Sequence, residues 1–175
     1  IGLGIPAEPL FRSSIGKRNI KDALEDVKQL EGDDNICIWE EIIEKPKILI
    51  INFSVNFLKQ EVERCHELGI TKIVLHPGSS VGMERSKAIY NIIKGLNIIL
   101  DNNYNVIICL ETMAGKGTEV GVSFEELKTI ISAINNKDKI GVCLDTCHIN
   151  DAGYDLNNFD NILDEFDNII GLNYL

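Results

Sequence analysis

Long apolar runs are missing from this chain. No stretch approaches the ~18 consecutive apolar residues that a membrane-spanning helix needs, so no place in a membrane is expected. Positive charge is scarce as well. Lys and Arg number 17 against 27 Asp and Glu, a formal net charge of −10. Nucleic-acid-binding faces are usually basic, so composition alone argues against DNA unless bound cations reverse the local sign. A fully paired disulfide framework is excluded by an odd count of five cysteines: Cys37, Cys65, Cys109, Cys143 and Cys147. No secretory signal is read in the opening residues, and the expectation is reduced thiols in a cytoplasmic protein. The first residue is Ile1, not Met, and the chain is expected to begin partway into a protein. Otherwise its 175 residues, 45% hydrophobic and 25% charged, suit one globular domain.

Residues 1–47 form a segment with little regular pattern. Gly2, Gly4, Pro6 and Pro9 favour loop. A helix is expected over 19–30 and a turn over 31–35, and residues 36–43 fit strand or helix. From residue 48 the pattern is regular. Ser54 is expected to cap a helix to about Leu68, with Val55, Leu58, Val62 and Cys65 inward and Gly69 as its stop. Strands are expected at 71–76, 105–111 and 139–145, with helices from 84 to about 100, 123 to 134 and 158 to 166, the second opened by the capping-box pattern Ser123-Phe124-Glu125-Glu126. Asn173-Tyr174-Leu175 reads as a further strand beginning. The strands are continuous apolar runs, as in parallel sheets covered on both faces. His76 to Glu111 spans 35 positions and Glu111 to Asp145 spans 34. That near-constant interval suits successive units of a (β/α)₈ barrel. A doubly wound open sheet competes, but it usually carries a glycine-rich phosphate turn after its first strand, and none is found here.

Three successive strands each end in a group able to bind a metal: His76, Glu111 and Asp145. In a barrel these ends converge on one mouth. Imidazole and carboxylate suit zinc, iron or manganese. His148 follows Asp145 by three residues and is a fourth candidate. Each carboxylate taken singly is more often a helix cap or a solvated loop residue; it is the register of three that points to a metal. His66, on a helix, is read as surface or partly buried and not as a ligand. Cys143 and Cys147 are read as buried structural thiols, and Asp151 and Asp155 as loop carboxylates with no assigned role.

Three segments carry a family resemblance. They are His76-Pro77-Gly78-Ser79, Glu111-Thr112-Met113-Ala114-Gly115-Lys116-Gly117, and Cys143-Leu144-Asp145-Thr146-Cys147-His148 followed by Ala152-Gly153-Tyr154-Asp155. In order and spacing they resemble the signature segments of the endonuclease IV family, over about residues 53–175. The resemblance implies a (β/α)₈ TIM barrel (α/β class), partial over residues 48–175. It implies zinc, up to three ions, with Mn²⁺ as an alternative, and hydrolysis of the phosphodiester bond 5′ to abasic sites in double-stranded DNA by a monomeric enzyme. His76, Glu111, Asp145 and His148 would be metal ligands, with Glu111 and Asp145 also catalytic. The loop carrying Gly115, Lys116 and Gly117 would meet the DNA, since glycines let backbone amides approach a phosphate.

Two departures accompany the resemblance. No histidine precedes His66, although the family carries a ligand upstream of the first regular helix. The family's remaining ligands, two histidines and two acids, fall beyond Leu175. Incision by this chain is therefore expected to be weak or absent. The alternatives are a metal-dependent sugar isomerase or epimerase of the same barrel type, and a non-catalytic remnant.

Overall fold

Alternating short apolar strands and amphipathic helices fold here into a parallel sheet with helices packed on one side. The computed structural model describes residues 45–175, with side chains from residue 52 onward. The segment 1–44, with its expected helix, turn and ambiguous stretch and Cys37, lies outside the described residues.

Helix α1 runs Lys45–Glu67. Pro46 falls in its first turn, where an amide N–H has no intrahelical partner to lose. Ser54 is therefore not a cap: the run 48–53, ILIINF, is helix too, and a short apolar run does not by itself distinguish helix from strand. The inward face is as expected, with Val55 and Val62 buried and Leu58 and Cys65 against the core. Gly69 ends the helix in the left-handed region (φ +71°). Its N–H reaches His66 O at 3.1 Å and the N–H of Ile70 reaches Cys65 O at 2.8 Å, the paired bonds of a glycine C-cap.

The elements that follow are β1 (Lys72–Leu75), β2 (Gly78–Ser79), α2 (Arg85–Leu100), β3 (Ile107–Glu111), β4 (Glu119–Val120), α3 (Phe124–Ser132), β5 (Ile140–Cys143), α4 (Thr146–Asp151) and α5 (Phe159–Ile169). Short 3₁₀ turns lie at Lys137–Lys139, Leu156–Asn158 and Leu172–Tyr174. The last replaces the strand expected at 173–175. Gly171 (φ +105°) turns the chain, and the N–H of Leu172 is taken by Asp167 Oδ1 at 2.9 Å. Asp155 also has local work, accepting the N–H of Asn157 at 3.0 Å and the side-chain amide of Asn158 at 2.7 Å.

The main sheet has order β1-β3-β5, all parallel. Leu75 pairs with Leu110, and Glu111 with Cys143. Strand alternation splits the residues into two rows. Ile108, Leu110, Ile140 and Val142 are buried beneath the helices, with Ile73 and Leu75 partly buried among them. The opposite row, in the parity of His76 and Glu111, includes exposed Lys72 and Val74, the latter 51% exposed. Among the described residues, then, β1 is not covered on both faces, contrary to the reading of continuous apolar strands. Phe124 anchors the helical side. Its ring lies 4.8 Å from that of Tyr154 and meets Phe166 edge-on at 5.3 Å.

Candidate metal centre

Parallel strands in register finish at one level, which is how distant segments deliver side chains to one place. His76 is the first residue past β1, and Glu111 closes β3 beside it. Asp145 stands two residues beyond β5, a layer higher, as the N-cap of α4, whose first turn carries His148.

These residues meet. His76 Nε2 lies 2.8 Å from Glu111 Oε2, and His148 Nδ1 lies 3.5 Å from Glu111 Oε1. The two imidazole rings are 5.7 Å apart and edge-on. One ligating atom from each of His76, Glu111 and His148 falls within 4.8 Å of the others. Glu111 is the sheltered member, its side chain 13% exposed against 46% for His76. Two imidazoles and one carboxylate form a donor set that suits zinc with a position left open, or manganese. By the chemistry of the donors, the residues present fit a divalent ion.

Asp145 has a different immediate role. Its Oδ1 accepts the backbone N–H of His148 at 2.9 Å, the cap that starts α4. That bond holds the carboxyl below the usual range. Partial burial opposes the shift, and the His148 ring, the Cys147 N–H and a hydrogen bond with Glu111 reinforce it. Asp145 therefore adjoins Glu111 as an ionised carboxylate, while the cluster of nearest ligating atoms is made by His148 in its place.

Cys143 is half-buried next to Glu111. Burial first, then the charges of Glu111, Cys109 and Asp145, push its thiol up, so it stays protonated and poor as a ligand. Cys147 is exposed, not buried, because residue 147 sits on the helix α4 and not on a strand. His66 is exposed and stacks on Tyr104 at 4.6 Å between ring centres.

The loops around the mouth are tied together. The loop after β1 and the loop after β3 pair as the antiparallel strands β2 and β4. Thr118 binds this junction, its carbonyl accepting the N–H of Ser80 at 2.9 Å and its hydroxyl lying 2.6 Å from that of Ser79. Lys116 reaches Asp151 Oδ2 at 2.9 Å, so the glycine loop is linked to the end of α4, and Asp151 acquires a role that sequence reading did not give it. The N–H of Lys116 is taken by Glu119 Oε2 at 2.8 Å. Gly115 and Gly117 both have positive φ and are exposed. Gly121 (φ +98°) is tighter: a Cβ there would lie 2.9 Å from the Pro77 ring, next to His76.

Glu126 holds the base of the loop. Ser123 caps α3 as its sequence suggests, accepting the Glu126 N–H at 3.4 Å. The Glu126 carboxylate, however, reaches beyond Ser123 to the N–H groups of Gly121 at 3.0 Å and Val122 at 3.3 Å, and it pairs with Arg85 at the start of α2. Burial raises its pKa, but the Arg85 bond and the two N–H donors outweigh that and leave it lowered. A lowered folded-state pKa adds stability above the unfolded value of about 4.3, and that stability is lost as pH falls through the folded value. Thermal melts between about pH 6 and pH 3 are expected to show this acid loss in the wild type and a flatter profile in Glu126→Gln. The pairing of Arg85 with Glu126, 41 positions apart, was not foreseen from the sequence, which offered Glu126 only as part of a capping box. The capping pattern at Ser123 marks a helix start, but not so distant a partner.

Thr112 was also missed as a functional residue, though it lies within a quoted segment. It is 1% exposed and contacts both Asp145 and His148. Its only sequence signal is a polar residue directly after a strand-ending candidate ligand.

Comparison with known proteins places this geometry. Residues 44–175 match the family model described as xylose isomerase-like TIM barrel. The chain belongs to that family. Within the xylose isomerase-like TIM barrels, it is similar to proteins named probable endonuclease 4. The one from Acholeplasma laidlawii is 53% identical over 126 residues, 70% of this chain and 43% of that protein. The one from Mesoplasma florum is 41% identical over 169 residues, 91% of this chain and 58% of that protein. The crystal structure of endonuclease IV from Thermus thermophilus superposes with a TM-score of 0.57 at 32% identity, covering 70% of this chain and 43% of that one. The expected α/β barrel class and the endonuclease IV resemblance both stand. The chain spans about half the length of the curated relatives it matches. No helix among the described residues is long and apolar enough to cross a membrane.

Proposed function

We propose that this chain carries metal-ligating strand ends of a zinc-dependent DNA-repair endonuclease, one that hydrolyses the phosphodiester bond 5′ to abasic sites in double-stranded DNA. It would act as a cytoplasmic monomer. The observation that carries the reading is the meeting of His76, Glu111 and His148 within 4.8 Å at the ends of two parallel strands and the start of α4. The names of its relatives support it.

The chain's own groups divide the work. His76 and His148 would each offer one imidazole nitrogen to zinc, or to Mn²⁺, and Glu111, whose Oε2 lies 2.8 Å from His76 Nε2, would offer carboxylate oxygens beside them. Asp145, held ionised beside Glu111, adds acceptor oxygens and no proton. Divalent ions held there would supply Lewis acidity, acidifying water and neutralising phosphate charge. That charge compensation answers the net −10 of the chain. Gly115 and Gly117 keep the neighbouring loop low and open for a DNA backbone, with Lys116 contributing a charge beside its Asp151 partner.

The test is incubation with zinc and a duplex bearing one abasic site. The expected result is incision confined to the 5′ side, lost on chelation and in Glu111→Gln. The rate should fall well below that of a relative of whole length, since only 43–58% of that length is present. The family description keeps one rival in view, a sugar isomerase. Turnover of a ketose without incision would assign that chemistry instead, and neither activity with no metal retained would leave a non-catalytic remnant.

A further inference from the structure

We infer that Thr112 is the positioning residue of this centre: it sets the places of Asp145 and His148 from the strand that carries Glu111. Thr112 follows Glu111 directly and is 1% exposed. Each of its polar groups is used. Its N–H continues the β3–β5 ladder to Cys143 O at 3.0 Å. Its hydroxyl Oγ1 accepts the N–H of Asp145 at 2.9 Å. Its carbonyl O lies 2.8 Å from His148 Nδ1. One buried residue thus touches two of the four candidate ligands and is covalently joined to a third.

The chemistry of each contact is definite. A carbonyl only accepts, so His148 carries its proton on Nδ1, the nitrogen that also lies 3.5 Å from Glu111 Oε1, and Nε2 is the nitrogen left with a lone pair for a metal. A partner of this kind fixes both tautomer and ring orientation in metal-binding histidines. The hydroxyl fixes the backbone of Asp145, and Asp145 in turn caps α4 through the N–H of His148 at 2.9 Å. The route from Thr112 to His148 is therefore double, through its carbonyl and through the cap.

This inference rests on the metal-site reading for affinity, but not for geometry, and the test separates the two. Cobalt(II) serves as the probe, read by its visible spectrum and by competition with a chelator. Thr112→Val keeps the branched shape and removes the acceptor, and is expected to weaken cobalt binding by roughly 10–100-fold, the usual cost of losing an outer partner. Thr112→Ser restores the hydroxyl and is expected to bind as the wild type does. Independently, ¹⁵N-histidine spectra of the unaltered chain at about pH 8.5, above the usual imidazole range, are expected to show the proton of His148 on Nδ1. The Asp145 amide is expected to exchange slowly. Wild-type cobalt affinity in Thr112→Val, a proton on Nε2 of His148, or fast exchange at Asp145 overturns the inference. If Thr112→Val does not fold, the spectra of the unaltered chain decide. If the wild type takes up no cobalt, the metal-site reading fails, and the same spectra still decide the role of Thr112.

Discussion

Glu111→Gln is expected to strip the centre of its ion without weakening the fold. The Glu111 carboxylate faces both rings, 2.8 Å from His76 and 3.5 Å from His148, and it also meets Asp145. On the proposed reading of the site, removing it takes out a direct ligand. The affinity loss should therefore exceed the roughly 10–100-fold that follows from losing an outer partner. In the metal-free chain the glutamine amide keeps the shape of the side chain and can still donate to Asp145 and accept from His76, so the contacts of Glu111 are largely retained. The variant should thus melt close to the wild-type temperature without metal and gain little on adding zinc, whereas the wild type is stabilised by mass action. Melting curves with and without zinc, beside chelator competition, check this. A fall in the metal-free melting temperature would show instead that Glu111 is part of the scaffold.

The largest stability effect is expected from Phe124→Ala. Phe124 is fully buried and packs on Tyr154 and Phe166, joining the first turn of α3 to α5. Truncating a buried phenylalanine costs about 3–5 kcal/mol, transfer and cavity together. Domains of this kind are stable by only about 5–15 kcal/mol. A large part of the folded population's margin should go, visible as a marked drop in the urea midpoint. A loss below about 1 kcal/mol, the size typical of surface changes, would mean that the aromatic cluster is not the anchor of the helical layer.

How much could be read beforehand follows from which interactions are local. Strand parity and the even spacing of His76, Glu111 and Asp145 depend on backbone period alone, so their shared end of the sheet was legible. The short step from Asp145 to His148 was legible for the same reason. What Asp145 does with that step was only half legible, because a strand-end aspartate serves equally as ligand or cap, and here it caps α4. The Thr112 contacts were not legible, since its partners lie 33 and 36 positions away. Ser54 misled because its residue type favours a cap, while the apolar stretch before it continues the helix. At 173–175 three residues were too few to set a period, and the chain there forms a 3₁₀ turn whose first N–H is taken by Asp167.

The junction of β2 with β4 carries a consequence for how this mouth can vary among related chains. Gly78 and Ser79 pair with Val120 and Glu119, and Thr118 stitches residues 79–81 to the same point. The two connections therefore behave as one unit. An insertion in either that displaces the pairing must be matched by a change in the other, so their lengths should covary across homologues.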